Sequence, residues 1–266
     1  VGALVLTEGG TFTPPGVADF NLPPLFGSGY WGSFTKPMLL VVISLVIIVA
    51  YFMLASRKLK VVPGKGQFVA ESIYNFGRNN IAREQIGSKD FKPFIPLVLG
   101  LFIFVLVNNL FGIIPFFQFP TMARIGFPLA LSVLVVYPVY HYVGIKRHGL
   151  GHYLKKELAP PGIPGFVLPL YSTIEFAQKF FIAPATLAIR VFSAMFAGHL
   201  IIMVFTLGGS FLLTETDGFG LKLVSPVAFI FAILMTFLEA FIQVLQAFIF
   251  ALLSAGYIGA ALASEH

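Results

Sequence analysis

From Pro37 to Ser56 the chain reads PMLLVVISLVIIVAYFMLAS, without one charged side chain. A helix of about 20 residues, rising roughly 1.5 Å per residue, matches a hydrocarbon core of about 30 Å, so this run predicts a membrane crossing. Four more apolar runs follow, over 93–119, 125–145, 164–207 and 223–263. The last two are too long for one straight crossing. About 40 residues reach roughly 60 Å, twice the hydrocarbon thickness, so such helices tilt steeply, break, or do both. Pro184 is the expected bend in the 164–207 run, because its ring removes a helical hydrogen bond. Composition agrees: DEKR make up 11% of the chain, against about 25% in soluble domains. The expected fold class is an all-α, polytopic membrane protein of five crossings, with a surface amphipathic helix and two long tilted C-terminal helices forming a hairpin.

Residues 1–36, rich in Gly and Pro, read as an external non-helical segment, and 37–266 as a single membrane domain. The chain starts at Val1, which leaves N-terminal processing or trimming open, and the 37–56 run lacks the flanks of a signal peptide. Over 67–84, Phe68, Ile73, Phe76 and Ile81 alternate with polar side chains at near-helical spacing, which predicts a helix lying along the membrane surface. Lys and Arg collect in two places. Arg57, Lys58, Lys60, Lys65, Arg78, Arg83, Lys89 and Lys92 follow the first span, and Lys146, Arg147, Lys155 and Lys156 follow the third. The opposite loops hold Lys36, Arg124 and Lys222. That asymmetry assigns the two basic loops to the cytoplasm, with the N-terminus outside and Ser264 to His266 inside.

The chemistry of such a chain lies in the charges the membrane retains. Glu175, Lys179, Arg190, His199 and Glu239 fall inside the two long runs. An Arg at mid-bilayer costs roughly 2.5 to 3.5 kcal/mol even on the gentler insertion scale. Arg190 therefore marks a function, unless it snorkels to an interface or pairs structurally with a carboxylate. Thr186, Ala194 and Ala197 surround it on one face with small side chains, which lets another helix approach closely. His199, nine residues on, falls on the opposite side of a straight helix. Glu239, Gln243 and Gln246 share a face at i, i+4, i+7, which fits either a wet crevice or a polar seam between helices. Glu175 and Lys179, four apart, fit a structural pair as well as a functional one.

PATLAIRVFSAMFAGHLI (184–201) and FLEAFIQVLQAFIFALLSAGYIGAALA (237–263) together resemble the two signature helices of the a subunit of F-type ATP synthases. NNLFGIIPF (108–116) resembles that family's second-span motif, and IKRHGLGHYLKKEL (145–158) its cytoplasmic loop. The resemblance covers about 35–264. It implies a proton-translocating stator subunit of the Fo motor that offers two aqueous half-channels to a ring of c subunits. It makes Arg190 the charge between those paths, His199 and Glu239 the half-channel positions, and Gln246 the glutamine facing the arginine. Asn109 becomes the second-span asparagine, and Gln243 and Glu175 supporting residues. The implied partners are the c ring, the b subunits of the peripheral stalk, the remaining F1Fo subunits, lipid and protons. The chain departs from the family pattern at Ala194, where many members have Asn, and at Gly112, where some have an acid. His199 and Glu239 stand exchanged relative to the common order of acid and imidazole, which preserves one of each.

Other classes find little support. There is no GxxxxGK[ST], HExxH or GxSxG, so nucleotide chemistry would occur on other subunits, and no cofactor is implied. With no Cys, thiolate metal sites are excluded, and His148 with His152 makes at most half of a metal site in a basic loop. The net charge of +6 flanks apolar runs instead of forming a soluble patch, which argues against nucleic acid. Two rivals remain: a stand-alone transporter or channel that uses Arg190 for an anionic substrate, and a structural scaffold. A bacterial plasma membrane is favoured over a mitochondrial inner membrane by the long N-terminal and loop segments.

Overall fold

The computed structural model describes residues 12–27, 34–57, 59–158, 166–216 and 218–263. The expectations for residues 1–11, Lys58 and Ser264 to His266 lie outside them. Among the described residues, a short antiparallel ribbon, β1 (Pro24–Phe26) with β2 (Phe34–Thr35), precedes ten α-helices. These are α1 (Lys36–Ser56), α2 (Lys65–Phe76), α3 (Glu84–Ile86), α4 (Ile95–Leu110), α5 (Gly126–Ala130), α6 (Tyr137–His148), α7 (Leu150–Leu158), α8 (Leu168–Ala177), α9 (Ala183–Thr214) and α10 (Phe219–Leu262). Three π-helical segments, Gly77–Arg83, Leu131–Val136 and Gln178–Ile182, join α2 to α3, α5 to α6 and α8 to α9. Among the described residues, five helical stretches are long and apolar enough to cross a membrane: Lys36–Ser56, Lys92–Leu110, Gly126–His148, Leu168–Thr214 and Phe219–Leu262. The chain is therefore an all-α polytopic membrane protein.

Two stretches differ from the sequence reading. The apolar run over 93–119 leaves the helix at Leu110, because Gly112, Pro115 and Pro120 favour turns over a continued helix. Gly112 N donates to Asn109 O at 2.9 Å, Phe119 N donates to Phe111 O at 3.2 Å, and Gln118 takes a left-handed φ of 44°. At Pro184 the accommodation is local. The π turn Gln178–Ile182 lies just before it, and Ser132 Oγ donates to the Pro184 carbonyl at 2.8 Å. A π turn is one of the few ways a helix absorbs an interrupted ladder.

The chain forms two compact units. The first comprises Val1–Val49, Phe104–Arg124 and Phe192–Gln246. Within it the end of α9 and the start of α10 run antiparallel as a hairpin. Gly209 lies against Ala228 and Phe229, the rings of Phe205 and Phe231 stack at 5.6 Å, and Gly198 lies against Glu239. Ser225 Oγ donates to Gly209 O at 2.7 Å, which uses the close approach a glycine permits. Asn108 ties three segments together. Its Nδ2 donates to Ser44 Oγ at 2.9 Å and to Phe104 O at 2.8 Å, while its Oδ1 accepts from Thr121 Oγ1 at 2.7 Å.

The second unit comprises Ala50–Ile103, Ile125–Val191 and Ala247–His266. Its tightest seam uses the small residues that end α10: Ala247, Ala251, Ser254 and Ala255 are fully buried. Gly259 lies against the backbone of Gln85 and Ile86, so a Cβ there collides with the Gln85 carbonyl oxygen. Phe76 packs on Phe102 and Phe248 at 5.4 and 5.6 Å between ring centres. Tyr153 fills the notch at Gly144, and His148 Nε2 lies 3.1 Å from Ala261 O. Overpacking typically costs about 1–3 kcal/mol. Gly259→Ala is expected to cost at least that much, because backbone and not a flexible side chain must move, and a lowered thermal midpoint of the purified chain is the check.

Candidate functional site

In the first unit, α10 carries Glu239, Gln243 and Gln246 on its buried face, as their spacing requires. Glu239 is 2% exposed, and its Oε1 accepts from Gln243 Nε2 at 3.0 Å. Asn109 Nδ2 donates to the Gln243 carbonyl at 3.3 Å, which brings the end of α4 onto the same strip of α10. Two glycines make the room. A Cβ on Gly198 would lie 3.1 Å from Glu239 Cγ, and one on Gly112 would lie 3.2 Å from Gln243 Nε2. A side chain at position 112 would also press on Pro120 Cβ at 3.0 Å and on the Asn109 carbonyl oxygen at 3.2 Å.

His199 is buried on α9, one residue after the glycine that receives Glu239. Its imidazole stands edge-on to Phe20 and Phe119, at 5.9 and 6.5 Å between ring centres. Phe20 also packs on Phe196 at 4.5 Å. Along this strip, five buried side chains each hold a polar atom without a partner among the described protein groups: Asn109 Oδ1, His199 Nδ1, Glu239 Oε2, Gln243 Oε1 and Gln246 Nε2.

In the second unit, Arg190 lies on the exposed face of α9, while Leu187, Ala188 and Val191 beside it are buried. Thr186 is exposed as well, and farther along the same helix, in the first unit, so are Ser193 and Ala197, whereas Ala194, expected in this strip, is half-buried. At spacings of four, three and four residues, the exposed positions form one row with Arg190. His199 is buried, as its nine-residue separation from Arg190 demands.

Glu175 and Lys179 pair at 2.9 Å, but not alone. Lys179 Nζ also reaches Glu157 Oε2 at 2.7 Å, and Tyr140 Oη donates to that oxygen at 2.9 Å. The π turn places Lys179 where both carboxylates meet it. Sequence reasoning missed Glu157, although it is the one acid between the third and fourth spans. Phe20 and Tyr140 were also missed, since aromatic residues occur throughout the chain. Tyr153 Oη lies 2.8 Å from His141 Nδ1. Burial pushes the Tyr153 phenol up to about 12, so at neutral pH it keeps its proton.

The ATP synthase A chain family matches residues 38–259. This chain belongs to the ATP synthase A chain family. It is 42% identical to an ATP synthase subunit a of Nocardioides over 97% of this chain and 96% of that protein. It is 43% identical to one of Pseudarthrobacter chlorophenolicus over 99% and 98%. A third, from Streptomyces lividans, is 41% identical over 97% and 91%. The matched region runs from α1 to Gly259 and contains every candidate site residue of this family member, Asn109, Glu175, Arg190, His199, Glu239, Gln243 and Gln246.

The Tyr153 phenol supplies a pH test of the second unit. Its raised value means that the folded chain holds this proton more tightly than the unfolded chain, whose tyrosine titrates near 10. Its contribution is complete below about pH 10 and is lost as pH rises through about 12. Tyr153→Phe is expected to flatten the fall in stability over that window, measured by thermal unfolding at stepped alkaline pH.

Proposed function

We propose that this chain is the proton-translocating stator subunit of an Fo motor, which provides two aqueous half-channels to a rotating c ring with Arg190 between them. One observation carries the reading: a permanent cation stands on the outward face of a membrane helix, in a row otherwise made of Thr186, Ser193 and Ala197. Such a row admits a second helix at short range, and a cation there attracts a carboxylate on the arriving surface. The c ring is that surface. The b subunits of the peripheral stalk and the remaining F1Fo subunits complete the assembly, and lipid surrounds it.

Protons enter one half-channel from outside, neutralise a ring carboxylate, travel round through lipid and leave by the second half-channel. A guanidinium does not give up its proton in a protein, so Arg190 acts as a fixed charge and not as a relay. At about 4 Å and an effective dielectric near 20, it attracts a carboxylate by roughly 4 kcal/mol. That attraction strips the proton from each ring site as it passes and blocks direct leakage between the two waters. Each proton crossing supplies about 2.3 kcal/mol per 100 mV, which drives rotation only if leakage is small.

His199 and Glu239 serve the outer half-channel as one imidazole and one carboxyl, the two side chains best suited to proton exchange with water. Gln243, Gln246 and Asn109 line it. The five unpartnered polar atoms on this strip support a hydrated path. A buried polar atom left dry costs about 1–3 kcal/mol, and water in the channel removes that cost. The Lys and Arg asymmetry supports an N-terminus outside and a C-terminus in the cytoplasm, and the bacterial relatives support a bacterial plasma membrane.

Arg190→Ala is expected to abolish ATP-driven proton pumping by the complex in vesicles, and normal coupling in that variant defeats the assignment. Glu239→Gln is expected to slow passive proton conduction through F1-stripped vesicles about tenfold or more. An unchanged rate removes Glu239 from the path. Copurification with a c ring separates this reading from a transporter that works alone.

A further inference from the structure

The second unit carries a half-open cleft of about 520 Å³, lined among others by Tyr137, Tyr140, Glu157, Lys179, Thr186 and Tyr257. Three features give it a proton chemistry. Glu157 and Glu175 share the single ammonium of Lys179, at 2.7 and 2.9 Å. Fully ionised, the trio carries one net negative charge, and one bound proton brings it to zero. Glu157 is 6% exposed, so bulk solvent screens that charge little. Independently, Tyr137 lines the same cleft and is 6% exposed, and its hydroxyl interacts with that of Tyr257 on the same wall without closing a full hydrogen bond. A buried hydroxyl in that state is satisfied by a guest with hydrogen-bonding atoms, and water is the smallest one. Finally, Thr186 on the wall of the cleft precedes Arg190 by four residues, about 6 Å along the helix axis.

Resting on the half-channel reading above, we propose that Glu157 is a proton-holding group on the release side of Arg190. A proton freed from the ring carboxylate passes through water in the cleft to the Glu157 carboxylate, which becomes a neutral acid. It then leaves to cytoplasmic water as hydronium, and the carboxylate is restored. Tyr140 and Lys179 are positioning residues: both hold Oε2 of Glu157 in place, from α6 and from the π turn. A merely structural cluster would clamp α7 to α8 and carry no proton.

The test uses the complete complex in vesicles. Wild type pumps protons with ATP, and Arg190→Ala does not; failure of either statement strikes the half-channel reading itself. With both in hand, Glu157→Gln is expected to lower pumping about tenfold while c and F1 subunits copurify normally, and Glu157→Asp is expected to recover most of it. Wild-type pumping by Glu157→Gln overturns the proposal and leaves a structural clamp, as does an equal loss in Glu157→Asp. If Glu157→Gln fails to assemble, the cleft is tested directly. The chain has no cysteine, so Ala183→Cys gives this sequence a single thiol, on the wall of the cleft. A charged thiol reagent added to inverted vesicles, whose cytoplasmic face is outward, is expected to label it and slow pumping. A thiol that stays unlabelled, or that labels without effect on pumping, overturns the proposal.

Discussion

Hydrocarbon offers no hydrogen bonds, and that constraint governs the polar atoms of the described membrane-spanning helices. The backbone meets it with helices, and the side chains meet it in two ways. At Asn108 the polar group is sealed: two donors and one acceptor are spent on Phe104, Ser44 and Thr121, all within the fold. Along α10 it is not. Glu239 and Gln243 satisfy one another through a single bond and leave one oxygen each unpartnered by the described protein groups. A closed network suits a structural joint. An open one leaves polar atoms for water or a partner to meet.

Close approach is the second theme, and small residues make it possible. Gly198 and Gly209 let the start of α10 lie against the end of α9, and Gly112 leaves room for the Gln243 amide. In the other unit Gly259 receives the backbone of Gln85 and Ile86. Lipid tails are as apolar as leucine, so helices in a membrane gain little from burying leucine and much from fitting closely. The large apolar side chains of this protein accordingly point outward in numbers that a soluble protein would not tolerate, with Val46, Leu54 and Phe237 among them.

The π segments tie this packing to the charges. Gln178–Ile182 carries Lys179 and precedes Pro184, and Leu131–Val136 carries Ser132, which bonds the Pro184 carbonyl. One extra residue per turn re-aims the side chains that follow, so a π turn sets the direction of a functional helix without breaking it. Here it places an ammonium between Glu157 and Glu175, from α7 and α8.

Much was legible in the residues themselves. Hydropathy alone dictates the number of crossings, because the cost of charge in hydrocarbon leaves long uncharged runs with few other fates. The i, i+4, i+7 spacing of Glu239, Gln243 and Gln246 dictates that they share a face, and the nine-residue gap separates Arg190 from His199, since both follow from helical periodicity. Tertiary structure decided what periodicity does not encode. Leu110 ends α4 inside an apolar run, because turn chemistry at Gly112, Pro115 and Pro120 competes with hydropathy over a few residues. Phe20 covers His199 from far away in the chain, and Glu157 joins Lys179 and Tyr140 across a loop. Contacts of that kind depend on how helices meet in space, and no local pattern in a sequence records the distance between residues that only folding brings together.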